Sequence, residues 1–324
     1  VACATVLCGE RRRRQKTYPR GTEVDIAVIG SNMVDLISYV DRMPEQGETL
    51  AAPDFQMGCG GKGANQAVAA SRLGSDVLMV TRVGNDIFAK NTIDNFAKNG
   101  IDTRFVLETE STSGVAPIFV DKDSNNSIII VLGANEKLSP ADIDAAADEI
   151  AACKLIVLQL EVPLETVYAA IEFGNAHDIP VLLNPAPAHP DLDIERVKSC
   201  TYFMPNETEL ALLTSKPVDT IEQIREAAQG LVDQGVKDVI VTMGSRGALW
   251  VNSTFTKEIP AVRVEAKDTT GAGDAFIGCF SHYLVKSGDV EKAMAMASKY
   301  AADSVTKLGT QSSYATAAEF VGAR

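Results

Sequence analysis

Along the chain, short apolar runs alternate with stretches whose apolar residues recur every three or four positions. VDIAVIG (24–30) is a nearly continuous apolar run closed by Gly-Ser-Asn, as expected of a strand covered on both faces. NQAVAASRLG (65–74) carries a helical pattern closed by Gly, and VLMVT (77–81) returns to a strand. DIFAKNTIDNFAKNG (86–100) places Ile87, Ile93, Phe96 and Ala97 at helical spacing before another terminal Gly. Strands follow at LIVLQL (155–160), PVLLN (180–184), YFMP (202–205) and DVIVTM (238–243), with helices over 163–176 and 220–234. This repeated β-α-β order predicts an α/β fold: a doubly wound, mostly parallel sheet with helices on both faces. Two stretches, 33–56 and 104–131, break the helical period and hold short β-like runs such as SGVAPIFV and NSIIIVL. They read as insertions that build a small β-sheet lid on one domain, 24–324.

Composition sharpens this picture at three points. With 324 residues and 46% hydrophobic content, the chain can bury a full core within a single large domain. The leading residues 1–23, VACATVLCGERRRRQKTYPRGTE, hold six Lys/Arg against two Asp/Glu and no hydrophobic period, and read as a disordered or non-native extension. Beyond them, 24 basic side chains face 41 acidic ones, a net −17. That balance argues against a nucleic-acid surface, and any anionic substrate needs a local positive site. No stretch approaches the length of a membrane span. The six cysteines (Cys3, Cys8, Cys59, Cys153, Cys200, Cys279) show no CxxC or Cys/His pairing, as expected of reduced thiols in a cytoplasmic protein.

The densest chemistry lies in KDTTGAGDAFIGCFSHYLVKSG (267–288). Phe276, Cys279, Phe280, Tyr283 and Leu284 share one helix face that ends near Gly288, so GAGD sits at the helix N-terminus. Small residues there leave backbone N–H groups open, and the helix dipole adds partial positive charge. The result is an anion site made without a cationic side chain. Asp274 at its mouth fits a general base for a hydroxyl that attacks phosphorus. Standing alone, the same Asp would only complement the dipole.

GCGGKGANQAVAA (58–70) spaces Gly58, Gly60 and Gly63 as G-x-G-x-x-G. A dinucleotide fingerprint should follow the first strand directly, whereas VDIAVIG ends at residue 30. Nor is it a Walker A loop, because Gly63 follows Lys62 where Ser or Thr is required. What remains is a Gly-rich turn into a helix, with Lys62 and Asn65 able to hydrogen-bond a small polyhydroxylated ligand.

Together, GGKGANQA (60–67) and DTTGAGDAF (268–276) resemble the two signatures of the ribokinase (PfkB-type) carbohydrate kinase family. The resemblance runs from about residue 24 to about 320 and includes NPAPA (184–188), PNETE (205–209) and TMGSRGA (242–248), in the family's order. It implies transfer of the γ-phosphoryl group of ATP to a sugar hydroxyl, with Mg²⁺. Asp274 falls on the catalytic base, and Gly271, Ala272 and Gly273 fall on the anion hole. Asn206 and Glu209 match positions that organise Mg²⁺ and the phosphates, Glu209 through phosphates or water; the pair would equally form a capping box. Thr242, Gly244, Ser245 and Gly247 fall on the nucleotide loop, with Gly273 facing it. A monovalent cation, K⁺, is implied beside the anion hole at Asp268, Thr270, Ser304, Lys307, Gly309 and Ser313, mostly through backbone carbonyls. The sugar site takes in Met33, Asp35, Gly61, Lys62, Asn65, Glu161 and Asp274. The lid would cover the sugar, exclude water and pair with a second lid in a homodimer.

At one position the chain departs from ribokinases proper. Two residues before the sugar-binding Asp they carry an Asn that contacts the 2-hydroxyl of ribose; here the residue is Met33. A thioether donates no hydrogen bond. A ribose 2-hydroxyl buried against it would be disfavoured by about 1–3 kcal/mol. VDIAVIGSNMVDLISY, with GCGGKGANQAVAA, is similar to the 2-deoxyribose kinase subgroup, whose sugar lacks that hydroxyl. The expected reaction is therefore phosphorylation of the 5-hydroxyl of 2-deoxyribose, with ribose as a further substrate. One alternative is a kinase acting mainly on D-ribose, with Asn32 serving the 2-hydroxyl. A nicotinamide-dependent dehydrogenase or a non-catalytic sugar-binding protein would leave Asp274 and the nucleotide loop without a use.

Overall fold

The computed structural model describes residues 24–122 and 126–320, so the expectation for residues 1–23 lies outside the described residues. The described strands, in chain order, are β1 (Ile26–Ile29), β2 (Met33–Tyr39), β3 (Asp54–Gly60), β4 (Val77–Val83), β5 (Asp102–Glu108), β6 (Val115–Val120) and β7 (Asn126–Ile128). They continue with β8 (Leu155–Leu158), β9 (Val181–Leu183), β10 (Tyr202–Phe203), β11 (Asp238–Thr242), β12 (Ala248–Asn252) and β13 (Thr256–Ile259).

Nine strands form one sheet in the order β13-β12-β11-β10-β9-β8-β1-β4-β5. β1 pairs in parallel with both β4 and β8, and every one of its residues is buried. Its alternation splits the core into two layers. Ile26 and Val28 pack with Ala67, Phe276 and Phe280 on one face, whereas Ala27 and Ile29 pack with Ile156, Ile171 and Val181 on the other. A central parallel strand with helices on both sides needs apolar residues at every position, which is why VDIAVIG shows no polar alternation. The sheet is parallel from β5 to β11, and β12 and β13 then return as antiparallel strands. The apolar pattern does not announce this hairpin, because its outer strand is largely exposed.

On the first face, the helices Lys62–Arg72 and Ala272–Ser287 pack at backbone distance. A Cβ on Gly278 would meet Ala69 Cβ at 2.5 Å and the Gln66 carbonyl at 2.6 Å, so only glycine permits this approach. The contact brings two sequence motifs two hundred residues apart to one point.

The small sheet runs β3-β2-β6-β7 and is separate from the large one. Three expectations are corrected here, the first two by its make-up. Residues 102–108 pair with β4 as the edge of the large sheet, so the second insertion joins the small sheet only from Val115. The first insertion extends to Gly60, and Gly58 and Gly60 therefore lie within a strand rather than in a turn. Finally, the helix expected over 86–100 is Ala89–Lys98, and Ile87 is 86% exposed. Asp86 causes the late start: its carboxylate accepts N–H groups of Phe88 and Ala89 and so holds residues 86–88 as a turn.

Candidate active site

Gly271, in the left-handed region, precedes the Ala272–Ser287 helix, and Asp274 stands in its first turn. Buried to 8% exposure, Asp274 accepts Asn65 Nδ2 on Oδ2 and Gln66 Nε2 on Oδ1, both at 2.9 Å. Both donors are consecutive residues of the Lys62–Arg72 helix, delivered by the Gly278 contact. Asn65 is in turn held by Gln311 Nε2 at 3.0 Å, and Gln311 by Asn95 Nδ2 at 2.8 Å. A Cβ on Gly273 would meet nothing within 4 Å, so this part of the helix end faces open space.

Gly61, at φ 88°, makes the actual turn between β3 and the Lys62–Arg72 helix; a Cβ there would strike the Asn32 backbone at 2.8 Å. Lys62 follows at once. Its backbone N–H and the Ser31 hydroxyl both donate to Glu161 Oε2, at 2.9 and 2.5 Å. Burial opposes the Lys62 charge, but the carboxylates of Asp274, Glu161 and Glu209 outweigh it and raise the ammonium above its usual range. Burial pushes the Glu161 carboxyl upward, against the opposing pull of Lys62 and Ser31. Asp35 lies over Gly60, where a Cβ would meet its Oδ1 at 2.3 Å. Burial first, then the charges of Glu161 and Asp274, push Asp35 up to about 6.

Met33 opens β2, pairs with Gly60 and is 2% exposed. Two residues from Asp35 on one strand, it shares a face of the small sheet with it. Its sulfur lies 3.8 Å from Asn135 Nδ2 and beside Gly114, where a Cβ would come within 2.9 Å. Asn135 also clamps the peptide of Asn32, accepting its N–H at 3.0 Å and donating to its carbonyl at 2.8 Å. The Asn32 side chain turns the other way, into the large sheet: its Nδ2 donates to Thr81 Oγ1 and to the Arg82 carbonyl, both at 2.8 Å. The Asn32 side chain therefore has no N–H left to donate elsewhere, and its buried Oδ1 is without a partner among the described residues.

On the far side of Gly273 lies a cavity of about 680 Å³. Its apolar wall includes Val262, Val264, Ala301 and Val305, and Thr242, Gly244, Ser245, Gly247 and Asn206 line its rim. Asn206 and Glu209 do form a reciprocal capping box: Asn206 Oδ1 accepts Glu209 N–H and Glu209 Oε2 accepts Asn206 N–H, both at 2.8 Å. Glu209 is 8% exposed and burial raises its carboxyl, against Asn206 and Lys62. No cluster of three His, Cys, Asp or Glu that could hold a metal occurs among the described residues.

The six residues expected around K⁺ draw together beside the anion hole. Asp268 ties the two loops, accepting Thr270 N–H at 2.9 Å and Gly309 N–H at 2.8 Å. Although burial works against it, these bonds lower its carboxyl overall. The Ser304 hydroxyl donates to the Ala301 carbonyl, and Lys307 Nζ pairs with Asp303 and reaches the Ser313 carbonyl at 3.3 Å.

The structure brings the sugar-side, anion-hole and cavity residues to one place. It also adds Gln66, Gln311, Asn135 and Gly278, which motif reading passed over; Gln66 lay in plain view inside GGKGANQA. The structure agrees with the rejection of G-x-G-x-x-G as a dinucleotide fingerprint, because two of its glycines are strand residues of the small sheet and none follows β1 directly.

The family model described as pfkB family carbohydrate kinase matches residues 24–317. A protein of Salmonella typhi named deoxyribokinase is 61% identical over 298 residues, covering 92% of this chain and 97% of that protein. A ribokinase of Mus musculus is 37% identical, covering 95% and 96%. The structure of Arabidopsis thaliana ribokinase complexed with ribose and ATP superposes with a TM-score of 0.87 at 29% identity, covering 93% of this chain and 98% of that one.

Proposed function

Since the chain belongs to the pfkB family of carbohydrate kinases, we propose that it phosphorylates 2-deoxyribose at the 5-hydroxyl, with ATP as donor. The observation that carries this reading is the position of Asp274. It lies between sugar-side residues on the Lys62–Arg72 helix and an open cavity bordered by the helix N-terminus. The 61% identity to a deoxyribokinase supports the choice of sugar.

In this reading Asp35, Asn65, Lys62 and Glu161 orient the sugar, and Asp274 takes the proton of the attacking hydroxyl. The N–H groups of Gly271–Gly273 and the dipole of a 16-residue helix face the charge that gathers on the equatorial oxygens. Thr242, Gly244, Ser245, Gly247 and Asn206 hold the nucleotide, and Asn206 with Glu209 orients the phosphates. Mg²⁺, when bound, would neutralise phosphate charge, and the Asp268 and Gly309 loops would hold K⁺ and so stiffen the anion hole. The small sheet acts as a lid over the sugar. Its exposed Phe55, Met57, Ile128, Ile129 and Ile130 support pairing with a second copy; a monomer mass by sedimentation at micromolar concentration would overturn that pairing.

The test is ADP release across 2-deoxyribose, ribose, fructose and nucleosides, in K⁺ and again in a bulky organic cation. Highest kcat/KM for 2-deoxyribose, and lower rates without K⁺, are expected. Turnover of neither pentose would sink the assignment.

A pH effect follows from Asp35, held near 6 by burial and its acidic neighbours. As an anion it accepts sugar hydroxyls; protonated, it loses that capacity. Because Asp35 is held above the ordinary carboxylate range, the buried charge weakens the fold as pH rises through about 6, while sugar affinity gains. Accordingly, kcat/KM for the sugar should fall below pH about 6, and Asp35→Asn should flatten that limb while lowering the plateau. An unchanged acid limb in Asp35→Asn would refute the role of Asp35.

A further inference from the structure

Asp274 rests against two adjacent amides, and one of them, Gln66, has no part in the reaction as set out above. Gln66 is 1% exposed. Its Nε2 lies 2.9 Å from Asp274 Oδ1 and 3.2 Å from Asn184 Oδ1, and its Oε1 accepts Gln159 Nε2 at 2.7 Å. An amide has two distinct ends, and its neighbours decide which way it points. Here the direction is set from outside. Asn184 Nδ2 donates to the backbone carbonyl of Met204 at 2.9 Å, a group that can only accept. Asn184 therefore turns its oxygen to Gln66, Gln66 must turn its NH₂ to Asn184 and Asp274, and Gln159 must answer with its own NH₂. The series ends at Gln159 Oε1, fully buried and without a partner among the described residues. Leaving such an acceptor orphaned is unfavourable, because it has given up water without gaining a donor. The fold carries that cost while a donor stays aimed at Asp274.

We infer that Gln66 is a positioning residue for Asp274: it aims the carboxylate at the attacking hydroxyl and donates to its anionic form. This rests on Asp274 being the base. Lys62 on the same helix, Asp35 on β2, Glu161 after β8, Glu209 and Tyr314 also face Asp274, and they are unchanged when Gln66 alone is altered.

The experiment is steady-state kinetics of the full chain carrying Gln66→Met, which keeps the side-chain volume and removes the donor. A misaimed base should lower kcat by about a hundredfold, with the KM for ATP held within about twofold, since uniform binding is untouched. The acid limb of kcat should move to higher pH, because a carboxylate that loses a donor takes up its proton more readily. Gln66→Glu covers the case in which Gln66→Met folds poorly. It keeps the shape and the acceptor for Gln159, and should shift the acid limb in the same direction. A kcat within about twofold of the parent, or a lowered kcat with the acid limb unmoved, would overturn the inference. If Asp274→Asn stays active, the base assignment itself fails; if only the Gln66 variants behave as the parent, the positioning role alone fails.

Discussion

Asp274→Asn is expected to reduce kcat by at least about a hundredfold, the lower bound of what a positioned general base contributes. ATP affinity should stay within a few-fold. The substitution keeps the side chain's shape at the helix N-terminus and leaves the N–H groups of the anion hole in place. It does alter one local balance. Both oxygens of Asp274 accept, from Asn65 and from Gln66, whereas an amide offers only one acceptor. One donor is left facing another, at about 1–3 kcal/mol. A lower Tm with near-normal ATP binding would therefore accompany the loss of turnover. Calorimetry with ATP and a coupled assay on the same preparation separate the two effects. A variant that kept more than a tenth of the parent's kcat would rule out Asp274 as the base.

Met33→Asn should shift the choice of sugar. In the parent, a ribose 2-hydroxyl would meet a thioether that offers no donor. An Asn at this position restores one, which is worth about 1–3 kcal/mol of discrimination. The ratio of kcat/KM for ribose to that for 2-deoxyribose should thus rise by roughly tenfold or more. The neighbouring Asn32 offers that hydroxyl no side-chain donor, because Thr81 and the Arg82 carbonyl take both its side-chain N–H groups within the large sheet. The surroundings can accept the change: Gly114 leaves space around Sδ, and Asn135, whose Nδ2 lies 3.8 Å from that sulfur, is also anchored to the peptide of Asn32. Equal ratios for parent and variant would exclude Met33 as the specificity residue.

Much of this molecule could be read from local pattern. β1 was legible because a doubly covered strand must be apolar throughout, and the Ala272–Ser287 helix because its apolar face, small first turn and terminal Gly288 agree. The capping box at Asn206 and Glu209 was legible for the same reason, since both partners lie within one turn. Local pattern failed where a residue's state depends on a distant partner. The run at 102–108 looks like a lid strand, yet it pairs with β4. Gly58 and Gly60 look like a loop, yet β2 holds them in a ladder.

Fold class, family and candidate base were readable before any packing was known, because these rest on features within a few residues: alternation, helix ends and contiguous motifs. Long-range packing settled which amides hold Asp274, that the Asn32 side chain turns into the large sheet, and that Met33 shares a sheet face with Asp35. Those outcomes turn on where side chains meet across 49 residues from Asn32 to Thr81, or 208 from Gln66 to Asp274. A hydrogen bond reaches only about 3 Å, so such a meeting depends on the packing of whole helices and strands, and here on the one backbone contact that Gly278 allows.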